Sequence, residues 1–351
     1  MDTNLYSRQI YTYGLDTMEK IINLKILIIG LRGLGIEIAK NLILSGPKEV
    51  SIYDRNICKI NDLGSNFYIE ETDINIKTRE KACYEKLKTL NKYVKVTIYK
   101  SDKIVEYINE YNLIIITEIM KIDEIYEIND ICRKNKIGFI YTLNFGLTGY
   151  LFNDFGDTHI INNINGEKNL TYNIFHINKK EKTYEIYLDI TEDNLFKLKN
   201  GDYVIFKQVS GFEELNDGIP RKIISSTYNS FLIDNNDKNN TGLYESGGII
   251  EEIKFPIKVK FSSFKENFSN PYKNIINLDT SKKNINQLLH CAFVGLHKYY
   301  TLTNKLPDLN NSDEVNKIIE LFSHRFYEES IKKDYEWLKI PKKKNQKKIN
   351  L

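Results

Sequence analysis

Apolar and polar positions along the first 145 residues keep switching between two periods. Leu5, Ile10, Leu15, Met18 and Ile22 recur at spacings of three to five, which predicts an amphipathic helix or helix pair over residues 5–23. Residues 25–29 are a short β-branched run and predict a strand. The run ends in Gly30-Leu-Arg-Gly-Leu-Gly35, and helical periodicity follows from Ile36 to Leu44, stopped by Gly46-Pro47. Residues 50–54 predict a second strand, completing a βαβ unit of the kind found in parallel sheets. Helix over 77–91, strands over 94–99 and 113–117, helix over 122–135 and strand over 139–141 continue the alternation. The fold class this predicts is α/β, a doubly wound, Rossmann-like parallel sheet.

Near residue 155 the helical period stops. Short strands are predicted at 184–188, 203–206, 222–224, 230–233 and 249–255, separated by turn pairs such as Asn200-Gly201 and Asp217-Gly218. The polar run 234–240 reads as a solvated loop. After Pro256 the pattern is helical again. Residues 285–303 place Leu288, Leu289, Ala292, Phe293, Leu296 and Tyr299 on one side, and a helix over 313–329, carrying Val315, Ile318, Ile319, Phe322 and Phe326, is expected with Ser312 as its N-cap. The Lys-rich stretch 342–351 reads as a frayed tail.

Composition narrows the classes. Fifty basic residues face 47 acidic ones, a net charge of +3, so a basic nucleic-acid clamp is not expected. No run reaches the roughly 18–20 apolar residues that a membrane helix needs, and residues 1–8 carry no signal-peptide pattern. No nucleic-acid or membrane partner is therefore expected. Cys58, Cys83, Cys132 and Cys291 form no CxxC pair and read as reduced core thiols, with no metal site.

Gly30, Gly33 and Gly35 are the candidate chemistry. A Gly-rich turn between strand and helix can hold a phosphate on converging amides, or its glycines can simply allow close strand-to-helix packing. Asp54 ends the next strand, where a carboxylate can accept from ribose hydroxyls. It raises the nucleotide-fold reading without establishing that a nucleotide binds.

Tyr6-Ser-Arg-Gln-Ile10, Gly14, the run over residues 26–46 and Asp54 together resemble ubiquitin-activating enzymes and their relatives. The resemblance implies the ThiF/MoeB-type adenylation fold shared with bacterial sulfur-carrier adenylyltransferases, present in eukaryotic members as one active and one degenerate copy. The segment 201–216 and the segment 247–256 resemble the first catalytic-cysteine half-domain, and residues 287–297 resemble the four-helix bundle that follows it. It implies an N-terminal, inactive adenylation domain over 1–172, the β-rich half-domain over 173–256, a four-helix-bundle segment over 257–335 and a tail over 336–351.

Where the family's active copy keeps a second carboxylate and an Asn-Arg pair, this chain has Asn56, Gly64 and Ser65. The resemblance thus implies a vestigial nucleotide-type turn (Gly30, Gly33, Gly35, Asp54) and no catalytic or metal-binding residue here. MgATP would bind at an active domain beyond this chain, and no cofactor would bind tightly to the chain itself. Arg8 would reach in trans to the nucleotide of the active copy; Lys77 lies near a family phosphate lysine and carries no assignment. Expected partners are ubiquitin, the active adenylation half or subunit, and a conjugating enzyme recruited through a missing C-terminal domain; the expected location is cytoplasm and nucleus. Two alternatives are a stand-alone regulatory subunit of an activating enzyme for SUMO or another ubiquitin-like modifier, and an autonomous nucleotide-binding enzyme such as a dehydrogenase.

Overall fold

The computed structural model describes residues 3–191, 195–234, 242–269, 285–308 and 310–333. The expected loop over 235–240, the tail over 336–351 and the side chains of Leu288 and Phe326 lie outside the described residues. The chain forms two compact units, one from residues 1–159 and 260–351, the other from Ile160 to Val259.

The first unit begins with two seven-residue helices, α1 (Ser7–Tyr13) and α2 (Leu15–Ile21), parted by Gly14 at φ +82°. Only Met18 of the predicted apolar stripe is fully buried, and Leu5 and Leu15 are exposed. A second anchor is Tyr6. Its hydroxyl would lie 2.6 Å from a methyl group built on Gly46. Gly46 itself ends α3 (Gly33–Ser45) in the left-handed conformation at φ +87°, its amide donating to the Ile43 carbonyl. Tyr6 thus packs the start of α1 against the C-terminal end of α3.

Strands β1 (Lys25–Ile29), β2 (Glu49–Tyr53), β3 (Lys95–Ile98), β4 (Leu113–Ile116), β5 (Gly138–Phe145) and β6 (Thr148–Asp154) form one sheet in the order β3-β2-β1-β4-β5-β6. The first five are parallel and β6 is an antiparallel edge. β1 and β4 are apolar almost throughout because helices cover both faces of the sheet. On one face, Ile36, Ala39 and Ile43 of α3 pack with Ala82, Cys83 and Leu87 of α4 (Arg79–Lys88). On the other, Ile125, Ile128 and Cys132 of α5 (Ile122–Lys134) pack on Ile114, Ile116 and Phe139. α4 is shorter than the predicted 77–91. Asn91 closes the segment instead, accepting from the Tyr93 amide and donating to the Ile43 carbonyl.

The second unit is antiparallel. Short strands β7 (His159–Ile161) and β15 (Ile257–Val259) pair with each other. Between them run β8 (Thr171–Lys179), β9 (Thr183–Leu188), β10 (Tyr203–Ser210), β11 (Arg221–Lys222), β12 (Ser225–Ser226), β13 (Ser230–Asp234) and β14 (Ser246–Ile253), in the order β11-β10-β14-β8-β9-β13-β12. The strand predicted over 222–224 is interrupted. The Ile223 amide donates to Asp202 and the Ile224 amide to Leu232, so the chain crosses from one ladder to another at that point.

Residues 260–333 return to the first unit with α6 (Phe264–Ser269), α7 (Ile285–Thr303) and α8 (Ser312–Lys333). The buried face of α7 differs from the predicted one. Leu289 is 43% exposed and Ala292 is exposed, while His290, Cys291, Phe293, Val294, His297 and Tyr299 are buried. The surface that α7 meets is aromatic: Phe293 stacks on Tyr150 at 3.8 Å, and His297 Nε2 lies 2.9 Å from the Tyr141 hydroxyl. Ring histidines fit that surface with a polar atom satisfied, which an aliphatic stripe does not need. At α8 the cap is Asn311 and not Ser312: Asn311 Oδ1 accepts from the Asp313 amide, and Ser312 is already helical.

Candidate functional site

The strand order reverses between β1 and β4, and open α/β sheets bind ligands outside the carboxyl ends of the strands at such a point. The structure brings Gly30, Gly33, Gly35 and Asp54 to this place, together with Thr117 and Glu118 from the end of β4. Arg8 is exposed in the first turn of α1, and no hydrogen bond or ion pair among the described residues ties it to the turn.

Each glycine faces the chain itself. A methyl group on Gly35 would lie 2.0 Å from the Gly30 carbonyl oxygen and 2.5 Å from Thr117 Oγ1, and one on Gly30 would lie 2.9 Å from Thr117 Oγ1. Thr117 Oγ1 is 2.9 Å from the Gly30 carbonyl and 3.1 Å from that of Ile29, locking the strand end. One on Gly33 would lie 2.8 Å from Ser65 Cβ. The glycines therefore let β1, α3 and the segment after β2 approach closely.

Asp54 is fully buried and heavily used. Its Oδ2 accepts from the Leu31 amide at 2.9 Å; its Oδ1 accepts from the backbone and side-chain nitrogens of Asn56, both at 3.0 Å. Arg79, 1% exposed, adds Nη1 at 3.3 and 3.4 Å from the two oxygens, while its Nε donates to Asp62 Oδ2 at 2.9 Å. Asp62 also accepts from the Lys59 amide, and Asn66 donates to the Leu31 carbonyl. Both polar groups of the Leu31 backbone are thus satisfied internally. Lys77 points elsewhere, paired with Asp73 at 2.8 Å. Arg79, Asp62 and Asn66 were not singled out from the sequence, since nothing local marks an arginine at a helix start as buried.

Beside this cluster lies a cavity of about 580 Å³, lined among others by Tyr53, Arg55, Glu118, Lys121, Tyr300 and Asn304. Burial, and then the Asp54 charge, push the Glu118 carboxyl up to about 8, against the opposing pull of Arg79 and Arg32. Glu118 Oε2 accepts from Asn56 Nδ2 at 3.4 Å. Arg55 is committed to Glu80, to Asp102 at 3.0 Å and to the Tyr99 carbonyl at 3.1 Å.

These residues do not fit a bound nucleotide and its metal. The ribose-type carboxylate has its lone pairs occupied, Asn56 cannot supply a metal-binding charge, and Ser65 fills the space beside Gly33. Among the described residues no group of three His, Cys, Asp or Glu side chains is placed to hold a metal ion, and no helix is long and apolar enough to cross a membrane. The four thiols are buried and none is in a disulfide; burial pushes Cys83 and Cys132 up to about 12, leaving them protonated.

Comparison with known families matches the ThiF family over residues 6–182, the ubiquitin-activating enzyme E1 FCCH domain over 169–254 and the ubiquitin-activating enzyme E1 four-helix bundle over 255–324. The chain is 34% identical over 322 residues to ubiquitin-activating enzyme E1 1 of Triticum aestivum, covering 91% of this chain and 30% of the relative. It is 34% identical to ubiquitin-like modifier-activating enzyme 1 of Dictyostelium discoideum (92% of this chain, 31% of the relative) and 31% identical to that of Homo sapiens (92% and 30%). The chain spans about 30% of the length of these relatives.

Proposed function

Because the chain belongs to the ThiF family, we propose that it is the N-terminal, non-catalytic half of a ubiquitin-activating enzyme. The observation that carries this reading is the succession of three matches in one chain: adenylation fold, FCCH domain, four-helix bundle. The complete enzyme would use MgATP to adenylate the ubiquitin C-terminus and then form a thioester, with the nucleotide held in a second, active adenylation domain. This half would supply the fold that pairs with that domain and a β-rich unit facing ubiquitin, in the cytoplasm and nucleus. A conjugating enzyme would be recruited through another part of the enzyme. The closed geometry around Asp54 supports the non-catalytic assignment. The FCCH match and the ubiquitin-activating relatives favour this over a separate subunit for another modifier.

Arg8 is the residue through which this half would reach the chemistry. It stands two residues after the Tyr6 anchor, exposed and unencumbered by any ion pair among the described residues. A guanidinium held there is suited to a triphosphate presented by a partner domain. With the active half supplied, Arg8→Ala is expected to slow ubiquitin-dependent pyrophosphate exchange by roughly 10³-fold or more, on the scale of an arginine finger. Arg8→Lys should recover part of it. Exchange unchanged in Arg8→Ala would remove the in-trans role.

A further inference from the structure

We infer that Arg79 is a built-in counter-ion that seals the Gly-rich turn against nucleotide, so that the turn is closed by an occupied site as well as by missing charges. The substitutions first suggested by the sequence, Asn56 and Ser65, remove attraction for a metal and a phosphate. Arg79 does something different. It brings a permanent positive charge into the space between Asp54 and Asp62, and both carboxylates are buried.

The stitching can be followed atom by atom. An ionised carboxylate offers about four lone-pair sites. Asp54 receives the Leu31 amide, two nitrogens of Asn56 and Arg79 Nη1 across both oxygens, which leaves nothing for a hydroxyl from outside. Through Asp54 the guanidinium fixes the turn after β1; through Asp62 it fixes the short helix Ile60–Gly64 after β2. Ser65 and Asn66, next along, then press on Gly33 and hold the Leu31 carbonyl. Arg79 opens α4, so the start of that helix, the Gly-rich turn and the segment after β2 share one charged joint. Two buried carboxylates flanking one guanidinium are stable only with the cation present. Arginine is suited to the place because its fixed fork addresses both acids at once, and a lysine offers a single point charge.

This deepens the scaffold reading and rests on it, since it concerns what closes the turn; its tests use this 351-residue chain by itself and are independent of ubiquitin adenylation. Two measurements decide it. First, hydrogen–deuterium exchange of the Leu31 amide is followed in the chain and in Arg79→Ala. The expected result is exchange roughly tenfold faster or more in the variant, as the local seal opens, reversed by millimolar methylguanidinium and not by methylammonium, with the Ile250 amide of the second unit as the folded control. Unchanged protection, or loss that methylguanidinium fails to reverse, would overturn the inference. If Arg79→Ala does not fold, Arg79→Lys serves, with faster Leu31 exchange expected and unchanged exchange overturning it. Second, the charges suggested by the sequence are restored as Asn56→Asp with Ser65→Arg, Arg79 left in place, and the chain is titrated calorimetrically with MgATP. No binding tighter than millimolar is expected. Micromolar binding would show that the missing charges alone silenced the turn and would refute the role given to Arg79.

Discussion

Gly35→Ala tests what the Gly-rich turn is for. In a helix interior, alanine is ordinarily favoured over glycine by about 1 kcal/mol. Here the added methyl would sit 2.0 Å from the Gly30 carbonyl oxygen, about 1.4 Å short of the 3.4 Å at which ordinary contact begins. It would also meet Thr117 Oγ1 at 2.5 Å. Neither obstacle can swing aside. The carbonyl is backbone, and the hydroxyl holds it in place. Relief requires α3 to lift from the end of β1, where Ile36 and Ala39 are fully buried. Overpacking of this kind costs about 3 kcal/mol or somewhat more, so the net loss is about 2 kcal/mol after the helical gain. For a unit of this size the transition should fall by about 4–8 °C. Thermal unfolding followed at 222 nm reads mainly the helical first unit, which keeps the second unit from masking the change. Gly64→Ala is the control: nothing lies within 4 Å of the added methyl, so its effect should stay within about 0.5 kcal/mol. Gly35→Ala melting at or above the parent temperature would refute the close approach and return the glycines to a ligand-binding explanation.

Two further outcomes depend on pH. Glu118 holds its proton up to about 8 in the folded chain against an ordinary 4.5, so its contribution is complete below pH 4.5 and is lost as pH rises through 8; Glu118→Gln should therefore melt higher than the parent at pH 9 and alike at pH 4, and equal melting at both would remove the buried-acid assignment. Burial pushes His297 down to about 4 from 6.5. Between those values the unfolded chain takes up a proton that the folded one refuses, so stability falls by roughly 3 kcal/mol as pH drops from 6.5 to 4. Urea unfolding of His297→Gln over this range should show a correspondingly flatter pH dependence, and an unchanged slope would place the acid sensitivity elsewhere.

The sequence by itself determined the elements whose signals are local. The β1–α3–β2 unit is written in a β-branched run, a Gly-rich turn and a Gly-Pro stop, and α7 was bounded correctly at Ile285 and Thr303 because its period runs for five turns. The family resemblance was legible for the same reason, since it rests on contiguous motifs. Asp54, Asn56 and Ser65 were legible from the motif, but the side chain that joins the site together was not. Arg79 reads as one more basic residue on an amphipathic helix; it becomes a buried counter-ion only when folding carries Asp62 and Asp54, 17 and 25 positions away in the chain, onto its two faces. The same holds for the buried face of α7, where His290 and His297 are admitted by an aromatic surface assembled from β5, β6 and α6. Periodicity reports which side of an element is apolar, but the partner surface decides which polar atoms can be satisfied there. Tertiary structure alone placed a positive charge between two carboxylates at the mouth of the turn, because a charge survives burial only where its counter-charges arrive with it.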